Sequence, residues 1–144
     1  MDTGHWYFPT TFDTTTCFGF VYRIINMSTG KSYIGKKNFW SRTTKSVKGK
    51  KRKQVTLKES DWKTYTSSSN EVNQDILTLS KSMFQFQILS LHKTKQELDF
   101  SETKTQWQLD VLNAKFPDGS KMFYNGRIER LNHNKWTKDR VKFI

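Results

Sequence analysis

The chain has 144 residues, enough for one domain with a modest core. Its 25 Lys and Arg against 13 Asp and Glu give a net charge of +12, which favours a polyanionic partner such as DNA. A single cysteine, Cys17, excludes an internal disulfide and argues against structural zinc, and no apolar stretch is long enough to span a bilayer. The opening Asp2, Gly4, His5 and Trp6 resemble no signal peptide, so a cytoplasmic location is expected.

Residues 1–17 are aromatic and Thr-rich with Pro9 among them, which predicts an irregular or strand-like extension. Phe18 to Ile25 is rich in aromatic and β-branched residues and predicts a strand. Met27 to Gly30 reads as a turn, and Lys31 to Gly35 as the returning strand of a hairpin. Phe39 to Lys58 has no sustained apolar period and predicts a flexible loop or a DNA-ordered segment. Ser68 and Glu71 form a capping box ahead of Val72, Ile76 and Leu79 at helical spacing, predicting a helix over 70–80. Phe84, Phe86 and Ile88 alternate with Gln85 and Gln87 in a half-buried strand ending near Leu91. Thr94 and Glu97 cap a longer helix over 95–114, closed by the Pro117-Asp118-Gly119 turn, with a short strand near Met122 to Tyr124. The tail from Asn132 is basic and aromatic, with Lys135, Trp136, Lys138, Arg140 and Lys142.

The positive charge is unevenly placed. Twelve of the basic residues fall between Lys31 and Lys63, where the only acids are Glu59 and Asp61. The densest run, Lys48 to Lys53, has no apolar residue to make an amphipathic face, so it suits phosphates better than a membrane. Lys50, Lys51, Arg52 and Lys53 are therefore candidate DNA contacts, together with Lys36 and Lys37.

In the hairpin, Gly19-Phe20-Val21-Tyr22 and Tyr33-Ile34-Gly35 put one tyrosine on each of two neighbouring strands. Taken alone, such a pair is ordinary cross-strand packing. Here the pattern resembles the GIY-YIG nuclease family: Phe20-Val21-Tyr22 stands for the first motif, and Tyr33-Ile34-Gly35 matches the second literally. The predicted order β-β-α-β-α also agrees with that resemblance. It implies an α+β fold in which a central antiparallel sheet is flanked by helices. The core would span about 18–126 of a single domain, with a basic insertion over about 39–60 and a basic tail over about 127–144. In the last helix Leu98, Thr105, Leu109 and Leu112 fall on one stripe, with Glu102 in the middle of it. A carboxylate on an apolar face needs a compensating cation or donors, and a hard divalent metal is one such cation. Phe100, Trp107 and Val111 form a second stripe that could face a partner.

The resemblance implies that Tyr22, Tyr33, Gly35, Glu102 and Asn125 belong to a catalytic site, with Glu102 holding Mg²⁺ (or Mn²⁺). It further implies an arginine after the second motif, for which Arg42 is nearest the expected interval and Arg52 and Lys63 are the alternatives. Asp61 to Ser69 resembles a segment of bacteriophage-type members, which adds Trp62, Lys63 and Tyr65 as site-lining or DNA-contacting residues. One tyrosine would orient or deprotonate the attacking water, and Gly35 would let backbone approach the substrate. A phenol near pKa 10 would need lowering for the proton-taking role. The implied products are a 5′-phosphate and a 3′-hydroxyl, and a phage-encoded homing-type or DNA-degrading enzyme is the expected setting.

Two rivals are legible. Glu102-Thr103-Lys104 after Asp99 has the form of a PD-(D/E)XK nuclease triplet, but that chemistry places it on a strand, and this pattern is helical. A ββα-metal nuclease using Asn132-His133-Asn134 is weaker still, because His5, His92 and His133 are scattered. From another class, a non-catalytic nucleic-acid binder would use the basic run and exposed aromatics, with no reason to keep a glutamate in an apolar stripe. The oligomeric state is left open, a dimer included.

Overall fold

The computed structural model describes residues 1–49 and 51–128; Lys50 and the basic tail beyond 128 lie outside the described residues. Strands β1 (Gly19–Asn26) and β2 (Ser32–Asn38) form the predicted hairpin, pairing Tyr22 with Gly35 and Ile24 with Tyr33. Gly30 closes the turn at φ +79, donating its N–H to the Asn26 carbonyl, a backbone state that an L side chain rarely adopts. Strand β5 (Phe84–His92) lies antiparallel on the other side of β1, giving the order β2-β1-β5. Helices α1 (Asn70–Leu79) and α2 (Lys95–Gln108) complete the expected α+β arrangement.

Side chains alternate across the sheet, and both faces are buried. Phe20, Tyr22, Ile24, Phe84, Phe86 and Ile88 meet Trp6, Phe39, Trp62 and Val72 on one face. Val21 and Ile34 meet Leu98 of α2, Val111 and Phe123 on the other. The N-terminal segment is thus part of the core, more than the extension its composition predicts. The Trp6 indole donates to the Trp62 carbonyl, and Tyr7 makes a parallel bridge to Gln87 at the outer edge of β5. His5 stacks on Phe86 with ring centroids 3.8 Å apart, and its Nε2 donates to the Tyr65 carbonyl at 2.9 Å.

The helix ends differ from expectation in ways that matter for the site. The cap of α1 is Ser69, whose hydroxyl accepts from the Val72 N–H at 3.3 Å; Ser68, the expected cap, is one residue early. Thr94 caps α2 as predicted, accepting from the Glu97 N–H. Helix α2 stops at Gln108 instead of reaching Ala114, because Asp110 enters the left-handed region at φ 52 and unwinds the chain. Its buried stripe is Leu98, Glu102, Thr103 and Gln106, rotated from the predicted one; Leu109 is exposed. Of the second stripe, Phe100 and Trp107 are exposed, while Val111 lies in the core.

The basic segment is not a loop. Strands β3 (Trp40–Lys45) and β4 (Gln54–Glu59) form a separate two-stranded antiparallel ribbon, exposed along nearly its whole length. Its roots are fixed where the Ser60 N–H donates to the Phe39 carbonyl and Phe39 packs edge-on against Trp62, centroids 4.9 Å apart. Trp62, expected as a site or DNA residue, is 1% exposed and belongs to this core joint. Trp62→Ala is expected to cost about 3–5 kcal/mol in urea unfolding, the loss of a fully buried large aromatic. A second expectation concerns acid. His5 must bury Nδ1 without a protein partner, and burial, with Lys81 nearby, pushes its pKa down to about 4. The folded state therefore binds the His5 proton more weakly than the unfolded chain, so its contribution is present above about 6.5 and lost as pH falls toward 4. Urea midpoints should drop between pH 7 and pH 4.5, and less so in His5→Phe.

Candidate active site

Strand β2 is an edge strand, and its outward-facing backbone is claimed by the C-terminal segment. Ser32 donates its N–H to the Met122 carbonyl and accepts from the Tyr124 N–H, one parallel step of a ladder. This single step stands where the short strand was predicted. Asn125 supplies the next step with its side chain. Its Oδ1 accepts from the Ile34 N–H at 3.0 Å, and its Nδ2 donates to the Ile34 carbonyl at 2.8 Å. Gln106 of α2 donates to the same carbonyl at 3.0 Å. The peptide between Tyr33 and Gly35 is thereby held by two elements at once.

Across the hairpin, Tyr22 lies over Gly35. A Cβ on Gly35 would overlap the Tyr22 hydroxyl and come to 2.6 Å from the ring carbon bearing it. The glycine is required by a tyrosine, whereas the sequence reading gave it to the substrate. Beside this pair the β1–β5 register shifts between Val21 and Tyr22, a bulge of the kind that re-aims a side chain. The Tyr33 ring sits 6.1 Å from that of Tyr22, and Tyr65 meets Tyr22 edge-on at 6.2 Å.

These rings line a cavity of about 310 Å³, together with Gly35, Lys36, Ser68, Glu102, Gln106, Asn125, Gly126 and Arg127. Glu102 is the one acid among these lining residues and is 8% exposed. Lys36 Nζ lies 3.8 Å from Glu102 Oε1 and 2.5 Å from Asp99 Oδ1, so it bridges two carboxylates of α2. Burial pushes the Tyr22 hydroxyl well above the ordinary phenol value, and the neighbouring Tyr33, Tyr65 and Glu102 add to this. Burial also raises Tyr33, while a hydrogen bond with Ser68 and the Arg127 charge pull the other way.

Residues 6–128 match the family model described as "Putative endonuclease segE, GIY-YIG domain". The chain belongs to the GIY-YIG endonuclease family. No curated protein and no solved structure matched the chain.

In this GIY-YIG domain, Tyr22, Tyr33, Gly35, Lys36, Tyr65, Glu102 and Asn125 come together around one cavity. The other sequence candidates fall elsewhere. Arg42 lies on the ribbon, lining a different cleft with Thr15, Phe18, Trp40, Leu57 and Lys93. Lys63 is half-buried and paired with Asp2 at 3.6 Å and Glu59 at 3.7 Å, and it is not in the cavity's lining. Lys37 pairs with Asp61 at 2.7 Å, its ammonium over the Tyr65 ring. Lys51, Arg52 and Lys53 are exposed near the ribbon tip.

Four lining residues are not among the sequence candidates: Ser68, Gln106, Gly126 and Arg127. Gln106 follows Glu102 by four residues on the same helix face, a spacing the sequence displays openly. Arg127 brings a guanidinium to the cavity from the far end of the chain, two residues beyond Asn125, whereas the sequence candidates Arg42 and Lys63 are not in its lining. Among the described residues no helix is long and apolar enough to cross a membrane. Asn125→Ala would strand the buried Ile34 N–H and is expected to cost about 1–3 kcal/mol in urea unfolding. Gly35→Ala should displace the Tyr22 hydroxyl and lower single-turnover cleavage about 100-fold, the effect of a misplacement near 1 Å.

Proposed function

We propose that this domain is a Mg²⁺-dependent DNA endonuclease that hydrolyses phosphodiester bonds, acting in the cytoplasm and encoded by a phage. The observation that carries the reading is one cavity joining a single carboxylate, Glu102, to the hydroxyls of Tyr22, Tyr33 and Tyr65 and to the cations Lys36 and Arg127. Among the described residues no cluster of three His, Cys, Asp or Glu could cage a metal. A lone carboxylate in a polar cavity fits Mg²⁺ well, since that ion keeps several waters and is held by one or two carboxylates plus substrate phosphate. Mn²⁺ would fit the same oxygen ligands. The phage setting is supported by the likeness of Asp61 to Ser69 to phage-type members.

When bound, the ion supplies Lewis-acid stabilisation of the phosphate and the leaving oxygen. The protein's own groups do the rest. Lys36 and Arg127 attract the scissile phosphate and offset its growing charge. Lys36 also holds Asp99, so the approach of a phosphate can redistribute that pairing. The Tyr22 and Tyr33 hydroxyls, protonated at neutral pH like any phenol and pushed further from ionising by burial, fix the water and the phosphate oxygens by hydrogen bonds. Any lowering that a proton-taking role needs has to come from the ion, since the protein alone pushes the other way and an anionic phosphate does the same. Asn125 and Gln106 touch none of the reacting atoms in this account. They fix the Ile34 peptide, and through it the spacing of Tyr33 and Gly35.

Supercoiled plasmid incubated with the purified protein should be cut with Mg²⁺ and left intact with EDTA. Tyr33→Phe should still fold, losing about 1 kcal/mol with its Ser68 hydrogen bond, and cut about 100-fold more slowly, the range of one positioned hydrogen-bonding group. Intact plasmid under every metal condition, with a clear gel shift, would make the domain a binder.

A further inference from the structure

The ribbon β3–β4 has two unlike faces. Because partners sit opposite one another, Trp40, Arg42 and Thr44 share a face with Glu59, Leu57 and Val55. Ser41, Thr43 and Lys45 share the other with Lys58, Thr56 and Gln54. The first face is turned to the body at its root. There the Trp40 indole donates to the Thr14 carbonyl at 3.0 Å, and Glu59 accepts from the Trp62 indole at 3.1 Å. The second face therefore looks away from the body, and every residue on it is exposed.

That outward face is wholly polar and contains no acid. Lys58 stands near the root and Lys45 near the tip, with the short hydrogen-bonding side chains of Ser41, Thr43 and Thr56 between them and Gln54 beside Lys45. Outward polar faces usually mix both charges; this one has only positive ones, and the tip adds Lys48, Lys51, Arg52 and Lys53. Each strand has six residues, about 20 Å at the usual rise. A two-stranded ribbon fits the B-DNA major groove, about 12 Å wide, and is too broad for the minor groove at about 6 Å. The major groove of an RNA duplex is too narrow to admit it. The absence of apolar residues on this face argues against a membrane or a protein partner.

From this we infer that the ribbon enters the DNA major groove with its Ser41, Thr43, Thr56 and Gln54 face toward the base edges, while Lys45 and Lys58 reach the flanking phosphates. The inference rests on the DNA-cleaving reading and extends it, giving the domain a short recognition element of its own. The anchoring of both ribbon roots to the core, through Phe39, Ser60 and Trp62, makes the element directional. Its stem is continuous with β2 on one side and, through Trp62, with Tyr65 of the cavity on the other. A groove-bound ribbon would thus fix where along the duplex the cavity meets a phosphate.

The test uses the full chain in EDTA, so that duplexes stay whole, with random-sequence DNA sparsely methylated at guanine N7 in the major groove. Sequencing of the bound fraction should show a short tract where methylation weakens wild-type binding about tenfold, the discrimination expected of one good base contact. Ser41→Ala/Thr43→Ala/Thr56→Ala should lose that tract while keeping the wild-type unfolding midpoint, since these side chains are exposed. Lys45→Ala/Lys58→Ala should reduce the slope of log affinity against log salt by about 2. A wild-type chain without an interference tract overturns the inference, as does a triple-alanine variant that keeps it, or tighter binding to an RNA duplex. Cutting is scored in parallel with Mg²⁺. A chain that shows the tract and never cuts contradicts the nuclease reading alone, and one that cuts without the tract contradicts the ribbon alone.

Discussion

The Ile34 peptide is the constraint on which the rest of the site depends. It lies on the free edge of β2, where a backbone N–H and carbonyl would otherwise need water. The two amide atoms of Asn125 meet both groups, as another strand would, and Gln106 adds a second donor to the carbonyl. The β2 edge, helix α2 and the C-terminal segment are thereby fixed to one point between Tyr33 and Gly35. Gln106 and Glu102 share a turn of α2, so the bond that orients the helix also sets where the carboxylate stands. The same segment, two residues on, delivers Arg127.

A second constraint is packing. Tyr22 is 1% exposed because its ring fills the space that Gly35 leaves vacant. The two motif residues are one interlocking pair across the hairpin, which explains why a tyrosine and a glycine occur at opposed positions. Burial then moves both tyrosine hydroxyls still further from ionising. The cavity gathers neutral hydroxyls, one carboxylate and two cations, a set suited to a polyanionic ester and poorly suited to an apolar ligand.

Much of this was legible in the sequence because it is written in local patterns. Aromatic and β-branched residues mark β1, alternation marks β5, Thr94 and Glu97 mark the start of α2, and the Met27 to Gly30 turn marks the hairpin that carries Tyr33-Ile34-Gly35. Glu102 announced itself as a charge on a buried helix face. The failures have physical reasons. The ribbon was read as a loop because neither face is buried, so it lacks the apolar alternation by which strands are recognised. Arg42 was chosen by distance along the chain, but the ribbon carries it to a different cleft. The likeness of Asp61 to Ser69 to phage-type members points Trp62 at the site, but the Phe39 contact that buries it joins residues far apart in sequence. Arg127 could be found only by following the C-terminal segment along β2, a tertiary pairing with no local signature.

The central claim is that Glu102 acts in the chemistry and leaves the holding of DNA to other groups. The direct measurement compares Glu102→Gln with the wild type on one duplex, reading DNA affinity and single-turnover cutting with Mg²⁺ in the same buffer. The account predicts affinity within a few fold of wild type and cutting slowed at least about 1000-fold, the scale of losing a principal electrostatic contributor. Cutting that persists at the wild-type rate in a folded Glu102→Gln chain would contradict it.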